Sequence, residues 1–208
     1  MSRLYIVFLA VVLGSCIGVG SEIRIDRNGS GSLKLHYRIA SGLEDLGSLD
    51  GNERWLPVPV GRADMERTVA RIQGLTLVSY SSRQEGLDTL HSAELSFASP
   101  GALEAFFDSS GRLFTADLPD KRLRLAFPQT AEQDRDFKEL LSRALEAYTF
   151  SISLSLPGTV RVAWLDGEGK PATVFPGDCS VAGSTLSYSV PMADLVFLDM
   201  ALQMEISW

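Results

Sequence analysis

The chain has 208 residues, 45% of them hydrophobic and 22% charged, with a formal net charge of −7. That size and balance fit one globular domain with a sizeable core, or two small ones. Lys and Arg number 19 against 26 Asp and Glu and form no basic run, which excludes the electrostatic footprint of a nucleic-acid-binding protein.

The first sixteen residues follow the order of an export signal. Arg3 precedes an apolar run from Leu4 to Leu13, and Gly14, Ser15 and Cys16 come next. Leu13-Gly14-Ser15-Cys16 resembles a bacterial lipobox, in which the cysteine takes the lipid and becomes the mature N-terminus. Two other readings stand beside it. An uncleaved membrane helix needs about 20 predominantly apolar residues, and the second half of this run is rich in Gly, Ser and Cys. An ordinary cleaved signal would leave the cysteine incidental. The expected organisation is a signal peptide over 1–15, lipidated Cys16 with a short tether over 16–21, and a single α+β domain over 22–208. The tether, Ile17 to Ser21, spans at most about 17 Å when extended. An acidic domain is repelled by anionic headgroups, so acyl chains rather than a basic patch must hold it at a membrane, on the exported side.

With Cys16 lipidated, Cys179 has no partner for an intramolecular disulfide. It follows Asp178 and has no basic neighbour to favour a thiolate, so a buried, unreactive thiol is expected.

Glu22 to Ala40 predicts a β-hairpin. Ile23 and Ile25 alternate with polar residues, Asn28-Gly29-Ser30-Gly31 turns the chain, and Leu33, Leu35, Tyr37 and Ile39 resume the alternation. The Gly-Ser-Gly is followed by a strand pattern, which argues against a phosphate loop. Ser41 to Gly61 is a long connection, with leucines at three-residue spacing and then prolines that exclude a central strand. Asp64 to Gln73 predicts a short helix stopped by Gly74, and Leu75–Tyr80 and Thr89–Phe97 predict strands. Ser99 and Pro100 open a second helix, burying Leu103, Phe106 and Phe107. Strands over Leu113–Ala116 and Lys121–Phe127 follow.

The strongest helix signal begins at Thr130, which makes a capping box with Gln133 and leads an apolar stripe to Tyr148. Phe150–Leu156 and Thr159–Leu165 predict strands parted by Pro157-Gly158. Leu186, Tyr188 and Val190 alternate with serines, Met192–Leu198 predicts a short helix, and Met200 to Trp208 predicts a closing strand. The expected fold is a two-layer α+β domain: one mostly antiparallel sheet with a wet face, and helices packed on the other face.

No sequence feature points to catalysis, a cofactor or a metal. His36 lies on the polar side of its strand, where a solvated histidine is expected. His91 shares a side with Ala93, Leu95 and Phe97, where a satisfied core or edge histidine is expected. Neither has a metal-ligand spacing, and no nucleophile elbow or P-loop is present. Asp194 and Asp199 predict cap or turn residues. The lipobox ending in Cys16, the strand pair around Gly29-Ser30-Gly31, the Ser155-Leu156-Pro157-Gly158 turn after a long helix and the late hairpin Val181–Tyr188 together resemble the LppM family of bacterial lipoproteins. The likeness spans most of the chain, although members typically carry a further membrane helix after the domain and no such apolar run precedes Trp208. The resemblance implies an envelope domain that binds lipid or glycolipid, and it transfers no catalytic residue. Two functions follow as expectations: a membrane-anchored, non-catalytic module for an apolar or lipid ligand, or an accessory subunit of an envelope protein complex.

Overall fold

The structure is a computed structural model that describes residues 18–40, 59–107, 113–130, 138–139, 142–143 and 145–208. The signal region, Cys16, nearly all of the Ser41–Gly61 connection and much of the helix predicted from Thr130 lie outside the described residues. Of that helix, Lys138, Glu139, Ser142, Arg143 and the fully buried Leu145 are helical.

The described residues form eleven strands: β1 (Gly18–Ile25), β2 (Gly31–Ala40), β3 (Leu75–Glu85), β4 (Asp88–Phe97), β5 (Phe114–Asp117), β6 (Arg122–Phe127), β7 (Thr149–Ser155), β8 (Arg161–Asp166), β9 (Asp178–Ala182), β10 (Thr185–Pro191) and β11 (Leu202–Ser207). Helices α1 (Arg62–Ala70), α2 (Pro100–Phe107) and α3 (Met192–Val196) are short. A seven-stranded sheet runs β3-β4-β2-β1-β7-β10-β9, and a four-stranded sheet runs β5-β6-β11-β8. All pairings are antiparallel except β1 with β7.

Local chemistry accounts for most of these elements. In the β1–β2 turn, Gly29 takes φ 85, a conformation that glycine adopts without steric cost. The Asn28 side chain accepts from the Ser30 amide at 3.2 Å and from its hydroxyl at 2.8 Å. Gly31 is glycine for another reason, because a Cβ there would overlap the carbonyl oxygen of Arg24. The Ser99 hydroxyl caps α2 by accepting from the Ala102 amide at 3.4 Å. At the start of α1, buried Asp64 accepts from the Val60 amide at 2.8 Å and pairs with Arg67 at 3.0 Å.

The expectation of one sheet with helices on a single face is corrected by the second sheet. Strands β7 and β8, predicted on either side of Pro157-Gly158, part into different sheets. Ile152 and Leu154 seat β7 between β1 and β10, while β8 pairs with β11. Alternation specifies which side of a strand is buried and leaves its partner open. The large sheet keeps the predicted wet face. Ile23, Ile25, Leu33, Leu35, Tyr37, Ile39, Leu154, Leu186 and Val190 are all nearly inaccessible, and the residues between them on the same strands are polar. The small sheet packs on the buried side at β7 and β10. Phe127 meets Tyr188 and Phe150 at ring separations of 5.9 and 6.5 Å, and Trp164 meets Tyr188 at 5.3 Å. Helix α1 packs on β3, and α2 on β4 and β5.

The closing strand holds a central place. β11 lies between β6 and β8, with Leu202, Met204 and Ile206 buried. Met200, expected on the same side, is half exposed before the strand begins. Met204 and Ile206 are fully buried, and each contributes about 1.5–3 kcal/mol on removal from water. A domain's whole margin is about 5–15 kcal/mol. Deleting Gln203–Trp208 also breaks ladder bonds to two neighbours, so the truncated protein should be insoluble or lack a cooperative melting transition. A variant melting at an unchanged temperature would show the strand to be dispensable.

Candidate functional site: a hydroxyl-rich sheet face beside the first strand

Strand β1 begins at Gly18, four residues earlier than the hairpin predicted from Glu22. Gly18 to Ser21, expected as tether, are therefore strand. This segment pairs on both sides, with β2 through Gly18↔Arg38 and with β7 through Val19↔Phe150. Gly20 suits a crowded place, since a Cβ there would come within 3.1 Å of the Ser151 hydroxyl, whereas one on Gly18 would make ordinary contact with the Tyr148 ring at 3.5 Å. Cys16 lies outside the described residues, two positions before Gly18.

The register lines up a row across the wet face of the large sheet. Ser81 stands opposite Ser92, Ser92 opposite His36, His36 opposite Gly20, Gly20 opposite Ser151, Ser151 opposite Ser189, and Ser189 opposite Asp178. These side chains are short, so the surface is a low floor of hydroxyls with one imidazole near its centre. Two grooves meet at His36. One, of about 500 Å³, runs over Gly20, Ser151, Ser153, Ser187 and Ser189. The other, of about 720 Å³, runs over Gly18, Arg38, Ser81, Arg83 and Ser92 to Tyr148. Arg38 pairs with Glu85 at 3.5 Å and with Asp88 at 3.8 Å, and Arg83 also pairs with Glu85.

His36 and Ser92 share a hydrogen bond of 3.0 Å between Nδ1 and the hydroxyl. The pairing has the reach of a base and a nucleophile. Both strands are interior to the sheet, so their amides serve the ladders on either side and offer no oxyanion hole. The face can hydrogen-bond a hydroxyl-rich or phosphate-bearing group lying flat on it, with two guanidiniums at one end.

The other sequence candidates fall elsewhere. His91 is on the buried side, bonded through Nδ1 to the Tyr80 hydroxyl at 2.5 Å and stacked on Tyr37 at 4.9 Å. Tyr37 in turn donates to the Pro59 carbonyl at 2.7 Å, and burial pushes its phenol well above the ordinary range. Asp194 sits in the first turn of α3, and the Asp199 carbonyl accepts from the Gln129 side chain at 2.7 Å. Among the described residues no group of acidic, histidine and cysteine side chains forms a metal cluster. Ser81, Arg83, Ser92 and Tyr148 carried no signal that would join them to His36. The serines of β7 and β10 did alternate with apolar residues, which marks a polar side but not its neighbours.

Cys179 is half-buried on the edge strand β9, less enclosed than expected, with Tyr188 opposite it. Burial pushes its thiol above the ordinary value. A raised value leaves less thiolate at neutral pH, so alkylation of the native protein at pH 8 should run slower than for a free thiol of value about 8.5. The rate should keep rising with pH beyond that point and reach the free-thiol rate in denaturant. Native labelling as fast as that of the denatured protein would refute the assignment.

No family model and no curated protein matches the chain. Among solved structures, the chain is similar to the folded domain of LppM from Mycobacterium tuberculosis. The TM-score is 0.43 and the identity 11%, over 92% of this chain and 88% of that one. An aminopeptidase N family protein from Idiomarina loihiensis gives a TM-score of 0.34 at 13% identity, over 89% of this chain. This chain covers 29% of that much longer protein. Overlaps this distant carry nothing across, and function rests on the chain's own residues.

Proposed function

We propose that the protein is a bacterial envelope lipoprotein, held on the exported side of a membrane by acyl chains on Cys16, whose domain is a non-catalytic binding module for a lipid or glycolipid headgroup. The observation that carries this reading is the start of β1 at Gly18. Two residues extend at most about 7 Å, so acyl chains on Cys16 would hold the Arg38, Arg83 and Tyr148 end of the groove close to the bilayer. The polar floor supports recognition of a headgroup rather than of an acyl chain. A reading as an accessory subunit draws support from the open edge strand β9, where Val181 is 44% exposed.

Labelled fatty acid should appear on the wild-type protein and vanish in Cys16→Ala, which should leave the membrane fraction. Native mass spectrometry of Cys16→Ala should find a co-purified lipid. Replacing Arg38 and Arg83 together by Gln should weaken its retention by about tenfold or more, since a hydrogen bond to a charged group is worth about 1.5–3 kcal/mol. A lipid-free protein that co-purifies with an envelope protein instead would favour the subunit reading.

A further inference from the structure

We propose that the tip of the β3–β4 hairpin is a second membrane contact, in which Leu87 enters the bilayer interface beside the acyl anchor. The inference rests on acylation of Cys16 and goes beyond it. Leu87 is 88% exposed in a two-residue turn closed by the pair Glu85↔Asp88, with Gly86 at φ 64. Single exposed leucines are ordinary on protein surfaces, so its position decides the matter.

The register puts Gly18, Arg38, Leu90 and Arg83 at one level across four strands. β1 leaves this level upwards, so the chain towards Cys16 runs the other way. Leu87 precedes Leu90 by three residues on the same downward side, which carries it about 10 Å beyond the level of Gly18 at the rise of a strand. Cys16 can reach at most about 7 Å beyond that level. The hairpin tip stands about 12 Å to the side, two and a half strand spacings away. An acyl chain leaving Cys16 into the bilayer therefore brings Leu87 to the interface or into it.

The surrounding residues fit that depth. The Tyr148 ring packs beside Gly18, where an amphipathic ring belongs at headgroup level. Arg38 and Arg83 stand at the level of Gly18, within reach of phosphates. Glu85 and Asp88, the carboxylates nearest the tip, are paired with those guanidiniums, so these four groups carry no net charge towards an anionic surface.

The test uses the full-length acylated protein carrying Cys179→Ser, with an environment-sensitive fluorophore on Leu87→Cys. A matched protein carries it on Ser184→Cys, in the exposed β9–β10 turn at the opposite end of the sheet. Both are reconstituted into phosphatidylcholine–phosphatidylglycerol vesicles that contain a nitroxide-labelled lipid. The label at 87 should shift to the blue and be quenched about twofold or more relative to the label at 184, as befits burial of about 5–10 Å into the interface. Equal quenching at the two sites in vesicle-bound, acylated protein would overturn the hairpin contact and leave the anchor standing. Absence of fatty acid on Cys16 would overturn both.

Discussion

Between Val19 and Arg24 the first strand bonds in parallel to Phe150–Ser155, across some 130 residues of sequence, and this pairing joins the two halves of the large sheet. On one side of the seam stand β2, β4 and β3, on the other β10 and β9. Each half alone is a small antiparallel sheet with open edges. Joined, they present one continuous apolar side, on which the small sheet packs at β7 and β10. A parallel contact of such long range is entropically costly to close, and it persists because Ile23, Leu154 and Leu186 are almost fully excluded from water across it. The small sheet packs beside the seam on its C-terminal side: the ring of Phe127 lies on Phe150 and Tyr188, and that of Trp164 on Tyr188.

The same seam makes the candidate site. On the wet side it sets Gly20 between His36 and Ser151, so the hydroxyls of β7 and β10 continue the row that starts at Ser81 and Ser92. Side-chain size matters here as much as polarity. The glycines of β1 keep the middle of the floor low, and a larger residue at position 20 would crowd the Ser151 hydroxyl. Polar groups on the opposite, buried side are treated quite differently. His91, Tyr80, Tyr37 and Asp64 are each given hydrogen-bond partners, as burial of such groups demands. Two histidines on neighbouring strands thus have separate fates, one a buried member of a bonded network and one a surface group open to a ligand.

Much of the fold was legible because it is local. Alternation placed Ile23, Leu33, Leu123 and Met204 on buried sides, Asn28-Gly29 placed the first turn, and Ser99-Pro100 placed the start of α2. What stayed hidden is what alternation does not encode, namely which strand lies beside which. Nothing near Ser155-Leu156-Pro157-Gly158 says that the chain changes sheets there, although the Leu156 and Val160 amides bond to the Ser184 and Gly183 carbonyls at 2.9 Å and steer the crossing. The extension of β3 to Glu85 was missed for a related reason. It is an edge strand, so its outer half can be polar throughout without loss.

The start of β1 is the most consequential of these differences. Gly18-Val19-Gly20-Ser21 has the composition of a flexible linker, and glycine weakens an isolated strand. Its place between β2 and β7 offsets that preference at Gly20, where a Cβ would come within 3.1 Å of the Ser151 hydroxyl. A five-residue tether would let a domain turn freely above its anchor. With the strand beginning at Gly18, a single residue, Ile17, separates Cys16 from hydrogen-bonded sheet. If Cys16 is acylated as proposed, the orientation of the domain at a membrane is set by the direction of β1 and by whatever else projects from the same end.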